Sequence, residues 1–377
     1  MSVDLSVNSV LEEAKDKTGL NDFGDQGFLT GLTVLMQTYD QNGLSDAGRL
    51  ASRGRIVNLL AERLRIEDSF KKQPEIRDLK ISKPMFLTGM PRTGTSALLN
   101  ILASDPAARP LKLWEGYNPS PYPNLAEGET DPRYSIVKAA FEKASDLSKI
   151  HHTSADTPEE CIHLFNHTFE DVQFGIEAFL EPYASFFKTV DRTKQYQYHG
   201  ELLRMLQSRQ QTDRWLLKSP YHLWSLDLMV KQHPDCSIII THRDPREVVG
   251  SYCSMMAYLM PDSENADLNA LGKGVLDYLV DQVNGSIEQR KNISDKRILD
   301  IQYRDFVNDN QSVIDSIYHH FELPYGKDVQ QPIKQYIADH PQGKHGSHDY
   351  HLAQFGLDEA TVLDRFERYT KAYNIAL

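Results

Sequence analysis

Residues 86–102, FLTGMPRTGTSALLNIL, hold a pattern that can grip an anion. An apolar run ends at Gly89, a turn carries Arg92 and Thr93, and Gly94, Thr95 and Ser96 open a helical pattern. A glycine turn between strand and helix aims backbone N–H groups and the positive end of the helix dipole at one point. Gly89 and Gly94 are spaced as in the phosphate loop G-x-x-x-x-G-K-[ST] and Ser96 closes it, yet Thr95 stands at the lysine position. In nucleotide triphosphatases that lysine reaches the β and γ phosphates while the Ser or Thr holds magnesium. Its loss argues against ATP or GTP chemistry. So does the run SIIITH, which leads into Arg243 and not into a magnesium-binding aspartate. Asp244, one step later, reads as an ion-pair partner or helix cap. Taken alone, the loop is also compatible with a plain tight turn.

A second stretch narrows the reading. THRDPREVVGSY puts Arg243 at a strand end, Pro245 at a first helical position and Ser251 eight residues after the arginine. That junction offers a guanidinium fork, backbone donors and a hydroxyl, a fit for a second phosphate. Two anion sites on two strand ends point to a nucleotide with phosphates at both ends.

The loop PRTGTS followed by THRDPREVVGS, in this order, resembles the sulfotransferases that use 3'-phosphoadenosine 5'-phosphosulfate (PAPS), and most of all their bacterial branch with an N-terminal helical lobe. The likeness runs over nearly the whole chain, through RPLKLWE, TPEEC, WLLKSPYH, IQYRDFV and GKHGSHDYHLAQFGL. It implies that Thr93, Gly94, Thr95 and Ser96 donate to the 5'-phosphate and that Arg243 and Ser251 grip the 3'-phosphate. Arg92 would then sit at the oxygen bridging sulfur and phosphorus, where charge develops as the bond breaks. With one 5'-phosphate and a singly charged sulfuryl group, such a donor needs neither the lysine nor a metal. By the same resemblance Lys218 approaches the sulfuryl group and Tyr303 contacts the base, although a tyrosine beside a strand can also be purely structural. Lys344, His345 and Gly346 loosely match the family's loop over the 3'-phosphate. Ala97 departs from the family, since many cytosolic members stack a tryptophan on adenine there.

Attack by a hydroxyl on sulfur needs a proton acceptor. Glu115, in LKLWEGYNP, resembles the catalytic glutamate of the carbohydrate branch, and Trp114 beside it would help to raise its pKa. His222, in LLKSPYH, lies near the catalytic histidine of the cytosolic branch but in a shifted register, with Pro220 two after the lysine. Glu115 is the first choice and His222 the second. For the acceptor, the Tyr, Pro, His and Met of YNPSPYPNL, HHTSADTPEEC and SYCSMMAYLM favour a small or lipidic alcohol or phenol over a polyanionic glycan.

These residues need a frame. PMFLTG, RWLLKS, CSIIITH and RILDIQY are short apolar runs separated by helical stretches, which implies parallel pairing. The expected fold is a three-layer α/β/α, P-loop-like fold with a mostly parallel central sheet. It carries an N-terminal helical lobe over 1–80, where Ile56, Leu59, Leu60 and Leu64 share one helical face, packed on a sulfotransferase α/β domain over 81–377. TPEE at 157–160 reads as a capping box with Pro158 at the first helical position, so ECIHLFNHTF is expected to be helical, with His163 and His167 four apart. Without a third ligand nearby that pair reads as ordinary packing, and no metal site is expected. The stretch 118–132, NPSPYPNLAEGETDP, reads as a loop over a site.

Composition excludes other classes. A net charge of −12 opposes bulk binding to nucleic acid or anionic membrane. Three scattered cysteines, Cys161, Cys236 and Cys253, read as buried free thiols in a reducing compartment. The N-terminus has no secretory pattern and the longest uncharged run, Val248 to Met260, is too short to span a bilayer, so a cytoplasmic protein is expected. The sequence leaves open whether it is a monomer or a homodimer. The competing readings are a P-loop kinase and a nucleotide-binding protein without catalysis.

Overall fold

Each of the four apolar runs becomes a strand, because each is bounded by turn residues; the first three are buried on both faces, while the last, at the sheet edge, leaves Asp300 exposed. The computed structural model describes residues 3–126, 128–143, 154–171, 173–174, 181–259, 267–341 and 351–377. The strands are β1 (Met85–Gly89), β2 (Ala108–Pro110), β3 (Arg214–Lys218), β4 (Ser237–His242) and β5 (Ile298–Gln302), in the order β2-β3-β1-β4-β5 and all parallel. Only β2 has no counterpart in the sequence reading; three residues are too few to show a pattern.

Alternation along the strands builds the layers. Met85, Leu87, Leu216 and Ile239 face one cluster, with Leu98 and Leu99 of α4 (Thr95–Leu102) and Ile314 and Ile317 of the helix Asn310–His320. Phe86, Trp215, Leu217, Ile238 and Ile240 face the other, larger cluster. That cluster continues without a break into α1 (Val7–Thr18), α2 (Phe28–Gln41) and α3 (Asp46–Lys72). Ser45 caps α3, its Oγ accepting from the N–H of Gly48, and Ile56, Leu59, Leu60 and Leu64 are buried as their spacing predicts. A boundary at residue 80 therefore separates two kinds of secondary structure without separating two cores.

From β1 the chain runs to the edge at β2, returns to β3 beside β1, and then crosses to β4 on the other side. This reversal opens a crevice at the carboxyl ends of the central strands. Leu87 pairs with Lys218 and Gly89 with Thr241, so the ends of β3, β1 and β4 lie level.

One local expectation fails. TPEE does not start a helix: Pro158 bridges Lys112, the N–H of Leu113 donates to Thr157 O, and the N–H of Glu159 donates to Leu111 O. The helix begins at Ile162 and runs as an α-helix over Ile162–Phe165 and a 3-10 turn over Asn166–Thr168, so most of ECIHLFNHTF is helical. Pairing with a neighbouring segment outcompetes the capping box and leaves Glu160 extended at the end of β3. Among the described residues no helix is long and apolar enough to cross a membrane.

Candidate active site

The loop after β1 needs its glycines. Gly89 has φ 143°, and a Cβ there would lie 2.5 Å from Thr241 O. Gly94 has φ 87°, and its Cβ would lie 2.9 Å from Cδ2 of Tyr303. Between them Arg92 holds a positive φ of 67°, a conformation that costs a non-glycine residue about 1 kcal/mol or more and recurs at ligand sites. The Thr93 hydroxyl turns inward, donating to Met90 O at 2.6 Å and lying 2.6 Å from the Thr241 hydroxyl. Thr95, at the lysine position of a triphosphatase loop, is buried too. What Thr93 can offer an anion is thus its backbone N–H. The first bond across the start of α4 runs from Leu98 N to Gly94 O, so the N–H groups before it point out of the helix.

Arg243, Ser251 and Tyr303 gather around this loop. Arg243 Nη1 donates to Arg92 O at 2.8 Å, its guanidinium lies 4.2 Å from the centre of the Tyr303 ring, and its Nε and Nη2 contact Glu247. Tyr303 starts the helix Tyr303–Asn308 straight after β5, and its ring lies against Gly94. Ser251, on the buried face of the helix Pro245–Leu259, accepts from Arg92 Nε at 3.0 Å. Residues from β1, β4 and β5 that lie far apart in sequence therefore form one contiguous cationic corner. Asp244 is an ion-pair partner and cap, as read from the sequence: its carboxylate accepts from the N–H of Arg246 and pairs with that guanidinium at 2.6 Å.

On the other side of β1, Lys218 ends β3 with its side chain 2% exposed and Nζ 2.5 Å from Oε1 of Glu160. The Ser219 hydroxyl donates to the other Glu160 oxygen at 3.4 Å, and the N–H of Cys161 donates to Lys218 O. Glu160 keeps 22% of its side chain exposed, enough for a ligand to reach it. The local pattern TPEE reads as a capping box and does not mark Glu160 as a site residue; its contact with Lys218 does.

The two candidate bases take other positions. Glu115, in α5 (Leu113–Tyr117), is buried, pairs with Arg109 Nη2 at 2.8 Å and accepts from the N–H of Lys112. Arg109, on β2, also donates to the carbonyls of Leu206 and Gln210 and lies 4.3 Å from the centre of the Trp215 ring. Glu115 is thus the counter-ion of a buried arginine and a helix cap near the sheet edge. His222 is fully buried below the strand ends, with Nδ1 2.9 Å from the Tyr196 hydroxyl and Phe86 and Phe165 packed on it. Burial pushes its pKa down to about 3. Such a ring can accept a proton only from groups in the core. Lys344 and His345 lie outside the described residues. His163 and His167 both lie against Gly116 and have ordinary partners: His163 is 3.7 Å from Glu159, and His167 is 3.2 Å from Gly116 O.

Comparison with known proteins agrees with this geometry. A model of the Sulfotransferase family matches residues 84–327. Two omega-hydroxy-beta-dihydromenaquinone-9 sulfotransferases named Stf3, from Mycobacterium bovis and Mycobacterium tuberculosis, are each 22% identical over 314 residues, covering 76% of this chain and 76% of theirs. The crystal structure of sulfotransferase STF1 from Mycobacterium tuberculosis H37Rv matches with a TM-score of 0.83 and 27% identity, over 96% of this chain and 98% of that one. Sulfotransferase STF9 from Mycobacterium avium shares the fold, with a TM-score of 0.88 at 24% identity over 100% and 99% of the two chains. The family match covers well over half of the 377 residues and includes the loop, Glu160, Lys218, Arg243, Ser251 and Tyr303, so this chain is an enzyme of the sulfotransferase family.

Proposed function

We propose that this enzyme moves the sulfuryl group of PAPS to a hydroxyl of a small or lipidic acceptor, in line and without a metal, with Glu160 as the base. One observation carries this reading: the glycine loop, the Arg243–Ser251 pair and the Lys218–Glu160 pair meet at the level ends of three adjacent strands. The donor supplies a sulfuryl group between a 5'-phosphate and the acceptor. The N–H groups at the start of α4 suit the 5'-phosphate, and Arg243 with Ser251 suits the 3'-phosphate. As the acceptor oxygen bonds to sulfur, the bond from sulfur to the bridging oxygen breaks and its electron pair stays on that oxygen. Arg92 would meet the charge that appears there and Lys218 the sulfuryl oxygens, interactions stronger in the transition state than before it. The acceptor's proton would pass to Glu160, whose carboxylate is the one that touches Lys218. Tyr303, already stacked on Arg243, is the aromatic surface nearest the loop for adenine, in keeping with a small residue at Ala97.

For the acceptor, a cavity of about 900 Å³ lies between α3 and the segment 117–137, with Leu50, Leu59, Tyr117, Tyr122, Pro123 and Ile136 among its walls. Tyr117 stacks at 4.9 Å on His163, three residues from Glu160. These apolar residues share the lining with charged ones, among them Arg55, Glu62, Arg65 and Arg133, and the mixture suits an alcohol with a hydrocarbon body and a polar group. So does the name of the relatives that act on an omega-hydroxy dihydromenaquinone.

Calorimetry with 3',5'-adenosine bisphosphate and with ADP plus magnesium tests the donor. The bisphosphate is expected to bind the wild type and to bind Arg243→Ala about 10- to 150-fold more weakly; tighter binding of ADP with magnesium would put the kinase reading in its place.

A further inference from the structure

Below the strand ends, on the face of the sheet away from α4, lies a group of side chains that sulfuryl transfer does not use. The Cys161 sulfur and one ring nitrogen each of His199 and His222 all lie within 4.8 Å of one another. All three residues are at most 1% exposed. They come from three elements: the segment that carries Glu160, the helix Thr193–Arg209, and the turn Pro220–Trp224 after β3.

The polar atoms of this group are not satisfied. Neither ring nitrogen of His199 has a hydrogen-bond partner, nor does Nε2 of His222. An unpaired buried polar atom costs about 1–3 kcal/mol, so native proteins keep few of them, and three on two neighbouring rings call for a ligand that takes one nitrogen of each ring. Phe165 stacks on His199 at 4.8 Å and Phe86 packs edge-on to His222 at 5.1 Å, which fixes both rings. Burial drives both histidines to the neutral form, the form that offers a lone pair.

We propose that Cys161, His199 and His222 bind a thiophilic d-block cation, Zn²⁺ or Cu⁺, as a structural staple. Two bonds of about 2.0–2.3 Å at a tetrahedral or trigonal angle set their ligand atoms about 3.5–4 Å apart, so the three groups close by about an ångström on the ion. A sulfur and two imidazoles select such ions over magnesium or calcium, which take oxygen ligands. The Cys161 thiol gives up its proton on binding, and the cation offsets the cost of a buried thiolate that otherwise holds the proton on. Tyr196 completes the outer shell. Its hydroxyl lies 2.9 Å from His222 Nδ1 and bonds onward to Ser225, so that Nδ1–H donates to Tyr196 and Nε2 is left with its lone pair toward the group. The ion would pin Cys161, and through it the neighbouring Glu160, to the floor of the site. It takes no part in the transfer itself.

Elemental analysis of the untagged protein purified without chelator tests this first, with one zinc or copper ion per chain expected. After refolding without metal, Zn²⁺ and Cu⁺ are added in separate arms, with Mg²⁺ as a control. Either of the first two should raise the melting temperature with concentration, and Mg²⁺ should not. Co²⁺ should give a thiolate charge-transfer band in the near ultraviolet, a readout on the folded wild type that no failed variant can confuse. Tyr196→Phe should weaken the ion by about 10- to 100-fold. Cys161→Ser should abolish the cobalt band, whereas Cys253→Ser should keep it. A metal-free protein whose melting temperature ignores both Zn²⁺ and Cu⁺, or a cobalt band that survives Cys161→Ser, would overturn the proposal.

Discussion

Glu160 and Glu115 are the same residue type, each beside a basic partner near a strand end, and they differ in what the fold does with them. Glu160 meets Lys218 at the end of β3, next to the central strand, and stays partly open. Glu115 meets Arg109 at the edge strand β2, under Gln210 and against Trp215, with both side chains 8% exposed. An ion pair closed on all sides neutralises a buried charge; one that opens onto a crevice can exchange its partner for a ligand. Chemistry therefore follows position along the sheet, because ligands collect where the strand order reverses.

Swapping the two carboxylates for amides gives the largest expected contrast. Glu160→Gln should lower turnover by about two to four orders of magnitude and leave bisphosphate binding within a few-fold, as removal of a general base does. Glu115→Gln should leave turnover of the folded enzyme near normal but cost about 3–5 kcal/mol of stability, because Arg109 loses its buried counter-ion. Steady-state kinetics beside chemical denaturation separates the two, and the reverse pattern would restore Glu115 as the base.

The cationic corner predicts a smaller loss. Arg243→Ala removes charge-assisted hydrogen bonds worth about 1.5–3 kcal/mol, so calorimetry should show bisphosphate affinity falling by about 10- to 150-fold.

A pH series tests the floor of the site against its mouth. His233 is held near a pKa of about 4 by burial, against 6.5 for the free ring. Between those values the unfolded chain binds more protons than the folded one, so stability falls as pH drops through that window. The slope approaches about 1.4 kcal/mol per pH unit for this histidine. Denaturation at pH 7 and pH 5 should show this loss, and His233→Gln should make it shallower.

The smallest effect concerns Glu247, which holds the Arg243 fork across a partly exposed turn of helix. Such pairs are worth about 0.3–0.5 kcal/mol, so Glu247→Gln should raise bisphosphate affinity by about twofold, measured at low salt.

The glycine loop, the Arg243–Ser251 spacing and four of the five strands were legible in the sequence because each is local: a turn requirement, a one-residue strand end, an apolar run. Tyr303 was named through the family resemblance alone, and the structure lays its ring against Gly94 and Arg243. Glu160 was not legible, since TPEE satisfies a local capping rule that pairing with Leu111, Lys112 and Leu113 overrides. Nor was the Cys161–His199–His222 group, whose members come from three elements, while the two histidines with helical spacing, His163 and His167, take other partners.

By itself, then, the sequence determined that this chain builds a parallel sheet ending in an anion-gripping loop without a triphosphatase lysine, because hydrophobic period and glycine conformation act over a few residues. Only the tertiary structure decided which carboxylate faces the crevice and which neutralises Arg109. A carboxylate's role depends on the charge and solvent around it, and those come from segments tens of residues away.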